Sequence, residues 1–222
     1  MTLERSVVVP GVLVEYRSFG ELLGGLSDQQ WQSPSRCAGW SAADVAGHVV
    51  GQLSDVTAFR LDGLGTPEAT ARQVEERRGR TAADLAEELD ATTQTAADLI
   101  GSFDDDAYNA EGPQGNGQTL GYGIESLWFD TFLHADDIRV AFGGTTTSTD
   151  AHAPSVSHIA QVLTDQGWHP ATIRLNGLDE FLVGNGSEDR VIEGDPMQFI
   201  LVSTGRADPG RLGLDPTVNI YR

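Results

Sequence analysis

Two residues of this chain, Asp130 and His134, are spaced so that they could hold one metal ion. They fall in a long segment whose apolar residues recur at helical spacing, and side chains four positions apart on a helix lie on one face, about 5–6 Å apart. A third candidate ligand, His48, lies on an earlier predicted helix. If the two helices are neighbours, two imidazoles and one carboxylate would leave coordination positions open for catalysis.

Each of these residues also has a purely structural interpretation. His48 could be a hydrogen-bonded core histidine, and Asp130 with His134 could be an ordinary hydrogen-bonded pair. Asp137 is a rival ligand, although its spacing better suits an acceptor that orients an imidazole. Asp44, four residues before His48, is a second rival, but a capping role at the start of its helix already explains it.

The surroundings of His48 favour a close approach by another part of the molecule. Gly47 and Gly51 flank it and would admit a neighbouring helix or a small ligand. The chain's one cysteine, Cys37, rules out an internal disulfide and a thiolate zinc cage. Cys37 is either a small half-buried apolar side chain or a nucleophile, and no histidine close in sequence supports the second interpretation.

Composition narrows the function further. The formal net charge of −19 disfavours binding to nucleic acid. All the basic residues are arginine, so Schiff-base chemistry and pyridoxal phosphate anchoring, which need a lysine, are excluded. No apolar stretch is long enough for a transmembrane helix, and the first residues do not resemble a signal peptide. We therefore expect a soluble, cytoplasmic protein with no membrane partner.

The elements that must position these residues are predicted in two blocks. The first block reads as four helices, at residues 9–26, 41–63, 81–102 and 119–142. Ser41 with Asp44, and Thr81 with Asp84, have the spacing of capping pairs. The second block reads as strands at 171–177, 181–185 and 190–194, a helix at 195–205 and a final strand at 217–222. The fold class is α+β, with domains at residues 1–147 and 154–222.

Three segments resemble a known family. The stretches WQSPSRCAGWSAADVAGH (31–48) and FDTFLHADDIR (129–139) resemble the mycothiol-dependent maleylpyruvate isomerase family. The segment GDPMQFILVSTGR (194–206) is similar to the C-terminal domain of that family. The resemblance implies a DinB-like four-helix bundle that binds metal, followed by a small α/β domain similar to sterol-carrier proteins.

The resemblance also implies residue roles. The metal ligands of the family map onto His48, Asp130 and His134, and a functionally important arginine maps onto Arg206. The isomerase has glutamate where this chain has Asp130, which is one methylene shorter, so the ion would lie nearer the helix or a water would bridge. Arg206 could instead be a helix-terminal arginine that interacts with the macrodipole.

The function implied is that of a metal-dependent enzyme that uses mycothiol, the small thiol of actinobacteria, to isomerise a small electrophilic metabolite or to transfer the thiol to it. Zinc is the first candidate for the divalent ion, with nickel and iron as alternatives. Two other functions stay open: a hydrolase using metal-bound water, and a ligand-binding protein without catalysis. The sequence does not indicate the substrate or the oligomeric state.

Overall fold

The structure, a computed structural model, describes residues 3–115 and 117–222. The chain forms two compact units, one of Glu4–Ser148 and one of Thr149–Arg222 together with Leu3. Within the described ranges, every helix is too short or too polar to cross a membrane. The predicted domains at 1–147 and 154–222 stay a prediction.

The first unit is helical. Its helices are α1 (Arg5–Gly24), α2 (Asp28–Trp31), α3 (Ala42–Thr57), α4 (Pro67–Glu76), α5 (Ala82–Gly101), α6 (Asp105–Asn109) and α7 (Leu120–Ala141). The long helices α1, α3, α5 and α7 pack against one another, and α4 packs along α3. Their buried faces carry large apolar side chains, among them Phe19, Leu53, Leu89 and Phe132. Burial of these side chains drives the association of the helices.

Local sequence signals explain where α3 and α5 begin. The Ser41 hydroxyl accepts a hydrogen bond from the Asp44 backbone N–H at 3.1 Å, and the Asp44 carboxylate accepts one from the Ser41 N–H at 2.9 Å. Thr81 and Asp84 form the same reciprocal pair at the start of α5. Both predicted caps are confirmed.

The predicted helices differ from the observed ones at several ends. Helix α1 begins at Arg5, before the predicted start at residue 9. It contains Pro10 in its interior, although proline is most frequent in the first turn of a helix. Helix α3 ends at Thr57, six residues before the predicted end, and Phe59 then takes a left-handed conformation with φ of 56°. Helix α4 was not predicted, although Thr66 caps it and Pro67 occupies its first turn.

The second unit combines helices with a small sheet. It contains α8 (His152–Asp165), β1 (Ala171–Leu175), β2 (Phe181–Val183), β3 (Val191–Gly194) and α9 (Pro196–Ser203). Among the described residues, the three strands form one sheet in the order β2-β1-β3, antiparallel between β1 and β2 and parallel between β1 and β3. The α+β class is confirmed, while the DinB-like and sterol-carrier-like assignments stay predictions.

Two expectations for this unit need correction. The predicted final strand at 217–222 is wrong, because Pro216–Val218 forms a 3₁₀ turn whose start is capped by the Asp215 carboxylate. The backbone N–H of Ile220 then donates to the Ser203 carbonyl at 2.9 Å, at the end of α9. Helix α8 was not predicted, and the expected start of the second domain at residue 154 falls inside it.

Candidate metal centre

Two helices and the segment before one of them build the site. His48 is in the middle of α3, and Asp130 and His134 lie four residues apart on α7, which packs against α3. The segment before α3 folds back on itself: the Ser35 N–H donates to the Trp40 carbonyl at 2.8 Å, and Gly39 has φ of 81°, which favours glycine. This turn carries Cys37 and Trp40 towards α7.

The three residues proposed as metal ligands come together in the structure. One ligand atom from each of His48, Asp130 and His134 can be chosen so that all lie within 4.8 Å of one another. Asp130 Oδ2 is 3.3 Å from His48 Nε2, and Asp130 Oδ1 is 3.5 Å from His134 Nε2. The side chains are largely shielded from solvent, with exposures of 7%, 17% and 12% for His48, Asp130 and His134.

This donor set fits a divalent transition-metal ion. Ligand atoms at about 2.0–2.1 Å from a tetrahedral zinc are separated by roughly 3.4 Å, close to the observed nitrogen–oxygen distances. Two imidazoles and a carboxylate are ligands that suit zinc, nickel and ferrous iron alike. Three protein ligands fill three of the four positions around a tetrahedral ion, which leaves one position for a further ligand, as catalysis requires.

A carboxylate holds the imidazole of His134 from its other side. His134 Nδ1 is 3.1 Å from Asp137 Oδ2, and Arg36 Nε donates to Asp137 Oδ1 at 2.7 Å. An ionised carboxylate can only accept hydrogen bonds, so Nδ1 carries a proton, and Nε2 is the nitrogen on the Asp130 side that can bind a metal ion. Asp137 therefore takes the orienting position suggested by its spacing.

An amide contacts the imidazole of His48 at Nδ1, the same ring nitrogen that is held in His134. His48 Nδ1 lies 2.8 Å from Gln73 Oε1, and Gln73 comes from α4. The close approach of α3 and α4 depends on Gly51, because a Cβ there would lie 2.6 Å from the Cβ of Gln73. The expectation that a glycine beside His48 admits a neighbouring helix is confirmed at this position.

The protonation of His48 reflects the negative charge beside it. Burial on its own would lower the pKa of His48, but the charge of Asp130 and the hydrogen bonds to Asp130 and Gln73 outweigh burial and raise that pKa above its usual 6.5. A proton on Nε2 and a metal ion would therefore compete for the same nitrogen.

Trp40 packs against both imidazoles. Its ring centroid is 5.7 Å from that of His48, edge to face, and 6.4 Å from that of His134, nearly parallel. The half-buried indole thus forms an aromatic wall beside the two imidazoles.

Cys37 lies next to the residues that support His134. Its thiol donates to Asp137 Oδ2 at 3.0 Å, and its sulfur is 3.7 Å from His134 Nδ1. The sulfur, His134 and Asp137 form a second group of possible ligands. Because Asp137 is already ion-paired with Arg36, we assign these contacts to the support of the imidazole.

The remaining residues considered for the site have other surroundings. Asp44 caps α3 through its hydrogen bonds with Ser41. Arg206 belongs to the other unit, follows α9, and donates from Nη1 to the Thr204 carbonyl at 3.2 Å. The catalytic role of Arg206 stays a prediction.

Several residues that shape the site were not found from the sequence. Gln73 was missed because α4 itself was missed, and the Thr66–Pro67 start of that helix was the available signal. Trp40 belongs to the motif at residues 31–48, but nothing in that motif indicates its contact with two imidazoles. The ion pair between Arg36 and Asp137 joins residues about a hundred positions apart, and no local pattern indicates such a contact.

Comparison with known proteins agrees with this fold. The chain resembles the crystal structure of a mycothiol-dependent maleylpyruvate isomerase with a TM-score of 0.66 and 15% identity, covering 92% of this chain and 90% of the other. A histidine-to-alanine mutant of that isomerase gives a TM-score of 0.64 at the same identity and coverage. No curated protein matches the chain.

The family resemblance is confirmed by a longer match in sequence. The profile of the mycothiol maleylpyruvate isomerase N-terminal domain matches residues 13–139, which is more than half of the chain and contains every residue of the candidate metal centre. The chain therefore belongs to the mycothiol maleylpyruvate isomerase N-terminal domain family.

Proposed function

We propose that this protein is a metal-dependent enzyme that uses mycothiol to isomerise a small electrophilic metabolite or to transfer the thiol to it. The observation that carries the proposal is the convergence of His48, Asp130 and His134, from two helices, on one point. Family membership supports the choice of thiol, because the family is named for a mycothiol-dependent isomerase.

In this proposal His48, Asp130 and His134 hold a divalent ion, with zinc as the first candidate. Such an ion lowers the pKa of a thiol bound to it, so that the thiolate is available at neutral pH without a protein cysteine. The protein's own residues prepare the site: Asp137 and Gln73 each hold one imidazole with Nε2 directed to the centre, and Asp130 supplies the negative charge.

The surroundings of the ligands suit a nucleophilic thiol. Trp40 packs against both imidazoles, and the three ligand side chains are largely shielded from solvent, which strengthens electrostatic interactions in the site. Asp130 offsets part of the positive charge of a divalent ion, and the proposed thiolate would offset more.

The first test is the metal content of the purified protein. We expect about one ion per chain in the wild type and a loss of about 90% or more in His48→Ala and His134→Ala, because two ligands do not hold an ion as three do. His169→Ala is a matched control, since His169 is exposed and lies in the other unit, and it should keep the ion. Full metal content in both ligand variants would reject the assignment.

The second test asks whether the reaction needs the thiol. Turnover of maleylpyruvate, or of related unsaturated acids, should require both the bound ion and added mycothiol. Hydrolytic turnover that continues without the thiol would instead identify a hydrolase. In either case Arg206→Ala measures whether the predicted arginine contributes, through the change in kcat/KM.

A further inference from the structure

A buried chain of polar side chains runs from His48 away from the candidate ligands. Gln73 has only 1% of its surface exposed and lies between His48 and Asp55. Its Oε1 is 2.8 Å from His48 Nδ1, and its Nε2 donates to Asp55 Oδ2 at 2.7 Å. A buried polar chain of this kind is costly unless every member is hydrogen-bonded, so its members have few alternative arrangements.

The direction of every hydrogen bond in this chain follows from Asp55. Asp55 is fully buried and accepts hydrogen bonds from Arg60 Nε at 2.8 Å and from Arg72 Nη2 at 2.7 Å. Two guanidinium groups keep it ionised, and an ionised carboxylate has no proton to donate. The amide of Gln73 must therefore direct its NH₂ to Asp55 and its oxygen to His48.

The same reasoning then applies to the imidazole. A neutral imidazole carries its proton on either nitrogen, and the two forms differ in which nitrogen can bind a metal. Because the oxygen of Gln73 only accepts, Nδ1 of His48 must carry a proton. Nε2, which is 3.3 Å from Asp130 Oδ2, is then the nitrogen that can bind a metal ion in exchange for any proton that it shares with Asp130.

We infer that Gln73, with its amide orientation set by Asp55, is a positioning residue that holds Nδ1–H of His48 and so directs Nε2 to the proposed metal ion. The inference rests on the proposed function, because it concerns the same three ligands. It adds that Gln73 and Asp55, which are not ligands, control how well the site binds an ion. Asp55 acts on His48 through Gln73.

The direct test is nuclear magnetic resonance of the metal-free protein with ¹⁵N-labelled histidine, which detects the proton on Nδ1 of His48. The wild type should show a slowly exchanging proton there, because Gln73 accepts it in a buried hydrogen bond. Gln73→Leu removes the acceptor and should abolish this protection. Asp55→Asn should weaken it, because Arg60 and Arg72 compete for the one remaining carbonyl oxygen and the new NH₂ group then faces Gln73.

The second readout is zinc affinity, measured by competition with a coloured chelator. Loss of a group that orients a ligand costs about 10- to 100-fold in metal affinity, which is the loss expected for Gln73→Leu and Asp55→Asn. Gln94→Leu is the matched control, because Gln94 is exposed on α5 and its replacement should leave both the Nδ1 proton and the affinity unchanged. Far-ultraviolet circular dichroism identifies any variant that fails to fold.

The outcomes separate this inference from the proposal on which it rests. If zinc binds, His48→Ala abolishes binding, and Gln73→Leu changes neither the protection of the Nδ1 proton nor the affinity, the inference is wrong and the metal centre stands. If the wild type binds no zinc but the Nδ1 proton responds as described, the zinc proposal is wrong and the role of Gln73 in holding the imidazole is supported. Should Asp55→Asn misfold, Gln73→Leu alone decides.

Discussion

At the scale of single residues, the two histidines of the candidate centre are held at the same ring nitrogen, Nδ1, by different chemistry. His134 is oriented by the carboxylate of Asp137, which is ion-paired with Arg36. His48 is oriented by the neutral amide of Gln73. Carboxylates make an imidazole a stronger electron donor than amides do, so we expect His134 to be the more strongly binding of the two ligands.

The buried carboxylate of Asp55 gives a pH-dependent contribution to stability. Burial would raise its pKa, but hydrogen bonds from Arg72, Gln73 and Arg60 outweigh burial and lower the pKa below the usual 3.8. A carboxyl whose pKa is lower in the folded state stabilises the protein above the pKa of the unfolded chain, and that contribution is lost as the pH falls through the folded-state pKa.

The comparison of wild type with Asp55→Asn measures this contribution. At neutral pH the variant should be less stable by about 1–2 kcal/mol, a modest value because Arg60 and Arg72 stay partly hydrated. The difference should be constant above about pH 5 and shrink below about pH 4. Urea unfolding of the metal-free protein at a series of pH values gives both numbers. A difference that persists unchanged in acid would mean that Asp55 contributes by shape and not by charge.

At the scale of elements, the contact between α3 and α4 brings Gln73 to His48, one of the three proposed metal ligands. Gly51 lets α4 approach until Gln73 reaches His48. The helix α4 has few buried apolar residues of its own, and Ala69 and Val74 are the main ones. Its position therefore depends on the close contact at Gly51 and on the ion pairs of Asp55.

Gly51→Ala tests this contact. The added Cβ would lie 2.6 Å from Gln73 Cβ, so α4 must move. We expect a loss of about 1–3 kcal/mol in the free energy of unfolding, typical of overpacking, together with weaker zinc binding. Both effects are measured on one sample by denaturant unfolding and chelator competition.

Gly123→Ala is the matched control for this substitution. Gly123 is an exposed glycine of α7 with open space where a Cβ would be. Because alanine is a better helix former, this variant should gain up to about 1 kcal/mol and bind zinc as the wild type does. If Gly51→Ala behaves in the same way, the contact between the two helices does not determine the site.

The sequence predicted the elements whose signals are local. The capping pairs at Ser41 and Thr81 and the apolar spacing of α7 mark their helices within a few residues. The spacing of Asp130 and His134 likewise follows from one helix. The contact of His48 with Gln73 could not be predicted, because it depends on how α4 docks and α4 is a short, mostly polar helix.

At the scale of the whole molecule, the most prominent property is the net charge of −19. Like charges at this density repel one another across the surface and oppose the compact state. Raising NaCl from about 10 mM to about 150 mM shortens the screening length from about 30 Å to about 8 Å. The ion pairs around Asp55 and Asp137 are screened less because both carboxylates are buried.

We therefore expect added salt to stabilise the protein. The melting temperature should rise by about 2–4 °C between these two salt concentrations, which corresponds to about 1 kcal/mol for a chain of this size. Thermal unfolding followed by circular dichroism measures it, with an equal osmolarity of an uncharged solute as the control. A melting temperature that falls with salt would show that attractive ion pairs outweigh the net repulsion.

The place of Cys37 has a consequence for any chemical labelling of this protein. It is the one thiol in the chain, and its sulfur lies 3.0 Å from the carboxylate of Asp137 and 3.7 Å from His134 Nδ1. A maleimide, a spin label or a fluorophore attached there would need the volume that Asp137 and the imidazole occupy. A dye at this position would therefore alter the behaviour that it was attached to observe, and probes should be introduced on a Cys37→Ser background.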